Sequence, residues 1–222
     1  MKPTVVALHG LLGRGSDWDQ VRASSKCGAE WICPDLFTPG AASLDPPEID
    51  SPCWLAGYSF GARLALDWLQ REPERWLGAL LLSVNPGNFQ SDAERAARRE
   101  ADKKWADEFE SAGWDDLMCR WSAQEVFAGS SAPDRAEHDC DRGRLSAALR
   151  EFSVADQFTD PLRLPSRLVI MAGARDRKFV HLQDRMRDAG FPGIFPVVAE
   201  AGHRLLLDAP DAVAAALDDL VA

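Results

Sequence analysis

Chemistry in this chain begins with a serine. Ser59 stands in Gly57-Tyr58-Ser59-Phe60-Gly61, after an apolar run at residues 53–56 and before Phe60–Arg71, where Leu64, Ala65, Trp68 and Leu69 recur at helical spacing. A turn that carries a buried strand straight into a helix is so tight that its flanks must be small, and it lifts the central side chain clear of the sheet. Three fixed positions recur by chance in many chains. The strand before and the helix after give this instance its meaning, and they point to Ser59 as an activated hydroxyl.

A hydroxyl needs a base, and four histidines are present. His9 opens His9-Gly10-Leu11-Leu12-Gly13 and reads as a residue that orients that loop. His138, in His138-Asp139-Cys140-Asp141, has ligand-type neighbours but lies in a polar connection, where a solvated loop is a simpler reading than a metal site. His181 reads as a surface residue of a helix. His203, in Ala201-Gly202-His203, follows the last strand, where a loop can bring it above the carboxyl edge of a sheet; it is the candidate base. Asp176, in Gly173-Ala174-Arg175-Asp176, follows the preceding strand and is the candidate acid that would hold the imidazole tautomer and stabilise the imidazolium. The order Ser59, Asp176, His203 is the one expected of an α/β-hydrolase fold. The backbone amides of Leu11 and Phe60 are then the expected oxyanion donors.

The elements that must position these groups follow from apolar patterning. Strands are expected at Thr4–Leu8 and at residues 31–33, 53–56, 77–84, 167–172 and 194–198, with helices at Phe60–Arg71 and Pro210–Val221. Residues 88–154 hold no strand pattern. They contain a capping box, Ser91-Asp92-Ala93-Glu94, followed by Ala97, Ala101, Trp105 and Phe109 at four-residue intervals, read as one buried stripe. The expected architecture is α/β: a mostly parallel sheet flanked by helices, with a core from residues 1–87 and 155–222 and a helical cap inserted at 88–154. Residues 37–52, rich in proline and small side chains, read as a long connection.

Bulk properties bound the rest. A chain of 222 residues fits one domain with an insertion. A net charge of −10 excludes a generic nucleic-acid or anionic-membrane binder. The apolar stretch near the N-terminus is too short for a signal-peptide core, and no uninterrupted apolar span reaches membrane length. Five cysteines at 27, 33, 53, 119 and 140, with no C-x-x-C pair, read as free thiols of a cytoplasmic protein. Nothing calls for a cofactor, a metal or an obligate protein partner.

An acidic background makes local cations informative. Arg63 lies four residues after Ser59, on the same helix face, where a cation in the first turn opposes the helix dipole and has no local stability rationale. Arg95, Arg98, Arg99, Lys103 and Lys104 cluster after the capping box. A solvated face paired with Glu94, Glu100 and Asp102 accounts for most of them. Arg63 together with a cap arginine points to a pocket for a carboxylate-bearing small molecule.

With these motifs assembled, the chain resembles the MenH family, the 2-succinyl-6-hydroxy-2,4-cyclohexadiene-1-carboxylate synthases. The matching stretches are His9-Gly10-Leu11-Leu12-Gly13, Gly57-Tyr58-Ser59-Phe60-Gly61-Ala62-Arg63, Asn85-Pro86-Gly87 and Glu94-Arg95-Ala96-Ala97-Arg98-Arg99. Trp105, Trp121, Val126-Phe127, Gly173-x-x-Asp176-x-Lys178-Phe179 and Gly202-His203 complete the set. The resemblance implies elimination of pyruvate from a cyclohexene polycarboxylate in menaquinone biosynthesis, with the triad as a base and no acyl-enzyme. It implies substrate binding by Tyr58, Arg63, Arg98, Trp121 and Phe127. The chain departs from the family at Ala62, where a second glycine is frequent, and at Asp35-Leu36-Phe37-Thr38-Pro39-Gly40, a reduced form of the usual Asp-x-x-Gly-His-Gly loop. It opens almost directly on the first parallel strand, so no leading antiparallel strands are expected. The alternative to the synthase is a carboxylesterase or carbon–carbon hydrolase with Ser59 as covalent nucleophile; a ligand-binding protein without turnover is a third class, against which the complete triad argues.

Overall fold

The computed structural model describes residues 2–41, 43–49, 52–88, 91–130 and 132–222. The parts of the connection 37–52 and of the insertion 88–154 that fall elsewhere lie outside the described residues. Among the described residues, six strands form one sheet: β1 Thr4–Leu8, β2 Glu30–Ile32, β3 Cys53–Tyr58, β4 Trp76–Leu82, β5 Leu168–Gly173 and β6 Val197–Val198. Their order is β2-β1-β3-β4-β5-β6, and every pairing is parallel. The strand expected at 194–198 is reduced to two residues plus a bridge between Val169 and Ile194. Pro196 is the reason: its carbonyl still accepts from the Ala172 amide at 3.2 Å, but it has no N–H to donate.

Alternate strand residues face opposite ways, so the sheet builds two cores. Val5 and Ala7 join Trp54, Leu80 and Met171 on one face, under the helices α1 Asp19–Ser24, α7 Leu205–Asp208 and α8 Pro210–Val221. Val6 and Leu8 join Leu55, Leu81 and Ile170 on the other, under α2 Phe60–Arg71 and α6 Arg177–Asp188. This second core continues into the insertion between β4 and β5, whose helices are α3 Asp92–Ser111, α4 Trp114–Ser122 and α5 Arg142–Glu151. No helix among the described residues is long and apolar enough to cross a membrane.

The capping box forms: the Ser91 hydroxyl accepts the Glu94 amide at 3.2 Å, and the Glu94 carboxylate accepts the Ser91 amide at 3.1 Å. The buried stripe of α3 differs from the expected one. Ala97 and Ala101 are exposed, whereas Asp102, Ala106 and Phe109 are buried. Four residues advance a helix by 400°, so positions spaced only by four drift around its surface. The inward face alternates steps of three and four, and at its midpoint it buries a carboxylate, which no apolar pattern reveals.

Candidate active site

β1 leads outward to β2, and the chain then returns to lay β3 on the other side of β1. The crevice between the carboxyl ends of β1 and β3 is therefore a topological switch point, where open α/β sheets bind ligands. The loop after β1 supplies His9 to Gly13, and the turn after β3 supplies Ser59.

Ser59 has φ 54° and ψ −108°, a region a non-glycine residue occupies only when its surroundings hold it. Part of that hold is its amide, which donates to the Leu82 carbonyl of β4 at 2.9 Å. Gly61 permits the rest: a Cβ there would lie 2.4 Å from the Leu8 carbonyl oxygen, so only glycine lets α2 start against the end of β1. Phe60 begins α2, and its amide has no intrahelical acceptor.

Asp176 caps α6 by accepting the Phe179 amide at 3.3 Å. Its other oxygen, Oδ2, lies 2.7 Å from His203 Nδ1. Nδ1 thus carries the proton and donates to the carboxylate, which leaves Nε2 to accept the Ser59 hydroxyl at 3.1 Å. Gly173 brings the two loops together, since a Cβ there would sit 2.3 Å from the Gly202 carbonyl oxygen. Ser83 fixes the base from below, its hydroxyl donating to the His203 carbonyl at 3.0 Å. His203 is buried among the rings of Phe179, Phe127 and Tyr58. Burial lowers its pKa below the ordinary imidazole value despite the opposing pull of Asp176, so the base is neutral near pH 7. The three groups form a relay able to withdraw a proton from the serine.

The remaining histidines behave differently. His9 is fully buried; its Nε2 accepts the Leu36 amide at 2.9 Å and its Nδ1 donates to the Gly10 carbonyl at 2.8 Å. It pins the first loop to residues 35–40, where Phe37 packs edge-on against His9 and Phe60. His181 and His138 are exposed. No cluster of His, Cys, Asp or Glu among the described residues is arranged to hold a metal. All five cysteines are unpaired, and burial pushes the Cys33 and Cys53 thiols up to about 11.

A cavity of about 140 Å³ lies between the sheet and the insertion, and both Ser59 and His203 open into it. Arg63, Arg98 and Lys178 line it, with Leu11, Trp121 and Phe127. Arg63 donates to the Phe152 carbonyl at 2.8 Å and lies over the Phe60 ring; burial first, and then the charge of Arg98, bring its pKa down to about 10. Arg98 is held by Asp102, with contacts of 2.6 and 3.0 Å, and Asp102 also accepts the Ser153 hydroxyl at 2.7 Å. Burial, followed by Arg98, likewise lowers the Lys178 ammonium. A second lobe of about 70 Å³ continues from Ser59 past Tyr58, Leu12, Met118 and Leu206. Leu11, Trp121 and Phe127 line both lobes, so they frame the passage over the serine. Burial pushes the Tyr58 phenol well up, keeping it neutral.

Of the five clustered cations of α3, only Arg98 lines the cavity. Arg95, Arg99 and Lys103 pair at the surface with Asp92, Asp156 and Asp107. Sequence reasoning gave no role to Lys178 or Ser83, and gave Asp102 only that of a partner on a solvated basic face. Lys178 stood in a quoted motif, two residues after Asp176, and its position in the first turn of a helix capped by the acid was a usable signal. Asp102 was legible only as a surface partner of the nearby cations; its burial against Arg98 and Ser153 was not, and Ser83 carried no signal, because its partner His203 is distant in sequence.

A model of the alpha/beta hydrolase family matches residues 5–216. The 2-succinyl-6-hydroxy-2,4-cyclohexadiene-1-carboxylate synthase of Serratia proteamaculans is 32% identical, the alignment covering 97% of this chain and 92% of that protein. The enzyme of the same name from Klebsiella pneumoniae is also 32% identical, over 99% and 94%. The chain belongs to this synthase family of α/β-hydrolases. A solved MenH from S. aureus shares its fold, with a TM-score of 0.80 at 19% identity, covering 99% of this chain and 93% of that one. Against the family pattern, Ala62 is accommodated with its side chain fully buried. The reduced loop keeps a positioning task, since Asp35 accepts the Gly15 amide at 2.7 Å.

Proposed function

We propose that this chain eliminates pyruvate from 2-succinyl-5-enolpyruvyl-6-hydroxy-3-cyclohexene-1-carboxylate, as the names of its relatives imply. The observation that carries the reading is the trio Arg63, Arg98 and Lys178 around the cavity that holds Ser59 and His203. The substrate bears a carboxylate on the succinyl arm, one on the ring and one on the enolpyruvyl group. In a chain of net charge −10, such an anion needs a locally positive pocket.

The substrate and product names define the bonds. Ser59, deprotonated by His203, takes the ring proton at C2, beside the succinyl ketone. The electron pair enters the ring as the C3–C4 double bond shifts, and the C5–oxygen bond breaks. The departing enolpyruvate takes up a proton and becomes pyruvate. Leu11 and Phe60 amides stabilise the enolate oxygen that forms at the ketone, and Asp176 holds the imidazolium. No acyl-enzyme forms. Arg63, Arg98 and Lys178 hold the carboxylates, while Tyr58, Trp121 and Phe127 shape the ring site. Residues 88–154 act as a cap over the core of 1–87 and 155–222. The unpaired thiols suit a reducing cytoplasm, and the partner is a small carboxylate rather than a macromolecule.

The test is to supply that substrate and follow pyruvate with a coupled dehydrogenase. The second reading, a carboxylesterase or carbon–carbon hydrolase, draws on the 3.1 Å Ser59–His203 contact, which would equally serve a covalent nucleophile. A stoichiometric acyl burst with a chromogenic ester, and no pyruvate, would replace the synthase with it.

A further inference from the structure

The loop that carries Leu11 is strained and held from several directions. Leu12 has φ 61°, a left-handed conformation that a leucine rarely adopts. From the core, the Gly13 amide closes the turn onto the Gly10 carbonyl at 2.9 Å, and Asp35 takes the Gly15 amide. The remaining hold comes from the insertion. Arg135 Nε donates to the carbonyl of the strained Leu12 at 2.6 Å, and its Nη2 donates to Asp17 at 2.5 Å. Asp17 in turn accepts the Arg14 amide at 3.1 Å. The Arg135 side chain is only 12% exposed, and its own carbonyl is fastened by the Trp114 indole at 2.8 Å. Next to this latch, Arg14 pairs with Asp139.

Arg135 lines the second lobe beside Ser59, where an arginine would ordinarily be read as a ligand for a substrate carboxylate. Each of its three guanidinium nitrogens instead donates within the protein, to Leu12, Asp17 and the Asp134 carbonyl, and its charge is matched by Asp17. We propose that Arg135 is a positioning residue: it locks Leu12 so that the neighbouring Leu11 amide stays aimed at the oxyanion site. Because it arrives from the insertion, the oxyanion hole is complete only while the insertion is docked on the core. The inference rests on the reading of Leu11 as an oxyanion donor.

The variant Arg135→Ala keeps the main-chain link to Trp114 and removes the fork. Loss of a whole oxyanion donor costs about 10²–10³ in kcat. A donor that is loosened rather than removed is expected to cost about 10- to 100-fold in kcat, with KM within about twofold. Added ethylguanidinium is expected to restore a third or more of the lost rate, which a merely structural defect would not allow. Asp17→Asn is expected to show the same split between kcat and KM without rescue. Near-UV circular dichroism of the eight tryptophans reports folding. If Arg135→Ala does not fold, Arg135→Lys, able to reach one acceptor but not both, carries the same readouts. A rise in KM with kcat retained would overturn the proposal in favour of a substrate ligand, and native values of both would overturn it outright. Absence of pyruvate release by the native protein would instead sink the synthase reading, and the kcat split would then be read on the ester.

Discussion

Replacing Arg63 with methionine should make the protein more stable and less active. Arginine ordinarily titrates near 12.5, and burial beside Arg98 brings Arg63 to about 10. At about 1.4 kcal/mol per pKa unit, holding that charge in the fold costs roughly 3 kcal/mol. Water in the cavity screens part of this, leaving about 2 to 3 kcal/mol. The sign follows from linkage: a base whose folded pKa lies below its ordinary value is a destabilising charge at every pH under about 10. Methionine keeps the apolar stem over Phe60 but loses the hydrogen bond to the Phe152 carbonyl, a loss of about 1 kcal/mol. The net gain is about 1 to 2 kcal/mol, or about 3–6 °C in Tm for a domain of this size. The carboxylate that Arg63 would hold loses a charge-assisted partner, so kcat/KM should fall about 10- to 150-fold. Thermal melts at pH 7.5 and pyruvate-release kinetics read the two effects. A variant that melts several degrees lower and keeps its kcat/KM would refute the argument, because Arg63 would then be a structural strut.

Asp176→Asn should leave the melt nearly unchanged but reduce kcat by about 10³ to 10⁴, since an amide N–H facing Nδ1 forces the wrong imidazole tautomer; a loss under tenfold would remove Asp176 from the relay. The pH profile of kcat/KM should fall on the acid side only below the ordinary imidazole pKa of 6.5, as His203 becomes protonated, and on the alkaline side below 10.5, as Lys178 loses its charge. Lys178→Met should remove the lysine's share of the alkaline limb and leave that of Arg63, which titrates at about 10; a limb unchanged in that variant would assign it wholly to Arg63.

Local pattern made much of the architecture legible. The strands appear as short apolar runs chiefly because the four inner ones, β1, β3, β4 and β5, are buried on both faces of a parallel sheet. Their edges shifted by a residue or two, as at β2, which begins at Glu30, because hydrogen-bond register rather than side-chain type ends a short strand. The spacing of Ser59, Asp176 and His203 was readable for a related reason: each follows a strand, and this fold places strand ends along a single edge. The insertion was harder. Its helices could be counted, but the stripe through Ala97 and Ala101 faces solvent, because the inward face of α3 serves a polar cavity through Arg98 and Asp102.

By itself, then, the sequence determined the tight turn at Ser59, the chain order of the three candidate residues, the parallel sheet and the presence of helices between β4 and β5. All of these follow from neighbours in sequence and from the period of apolar residues. Tertiary structure alone decided which cations reach the serine. It left Arg95, Arg99 and Lys103 in surface pairs, turned Arg98 inward against Asp102, and brought in Lys178 from beyond β5. It also set Arg135 against the strained Leu12, 123 residues away in sequence. Charge and reach are the same for every arginine in the sequence; only the packing of the insertion on the sheet selects those that line the cavity, because it alone brings residues so distant in the chain within hydrogen-bonding range.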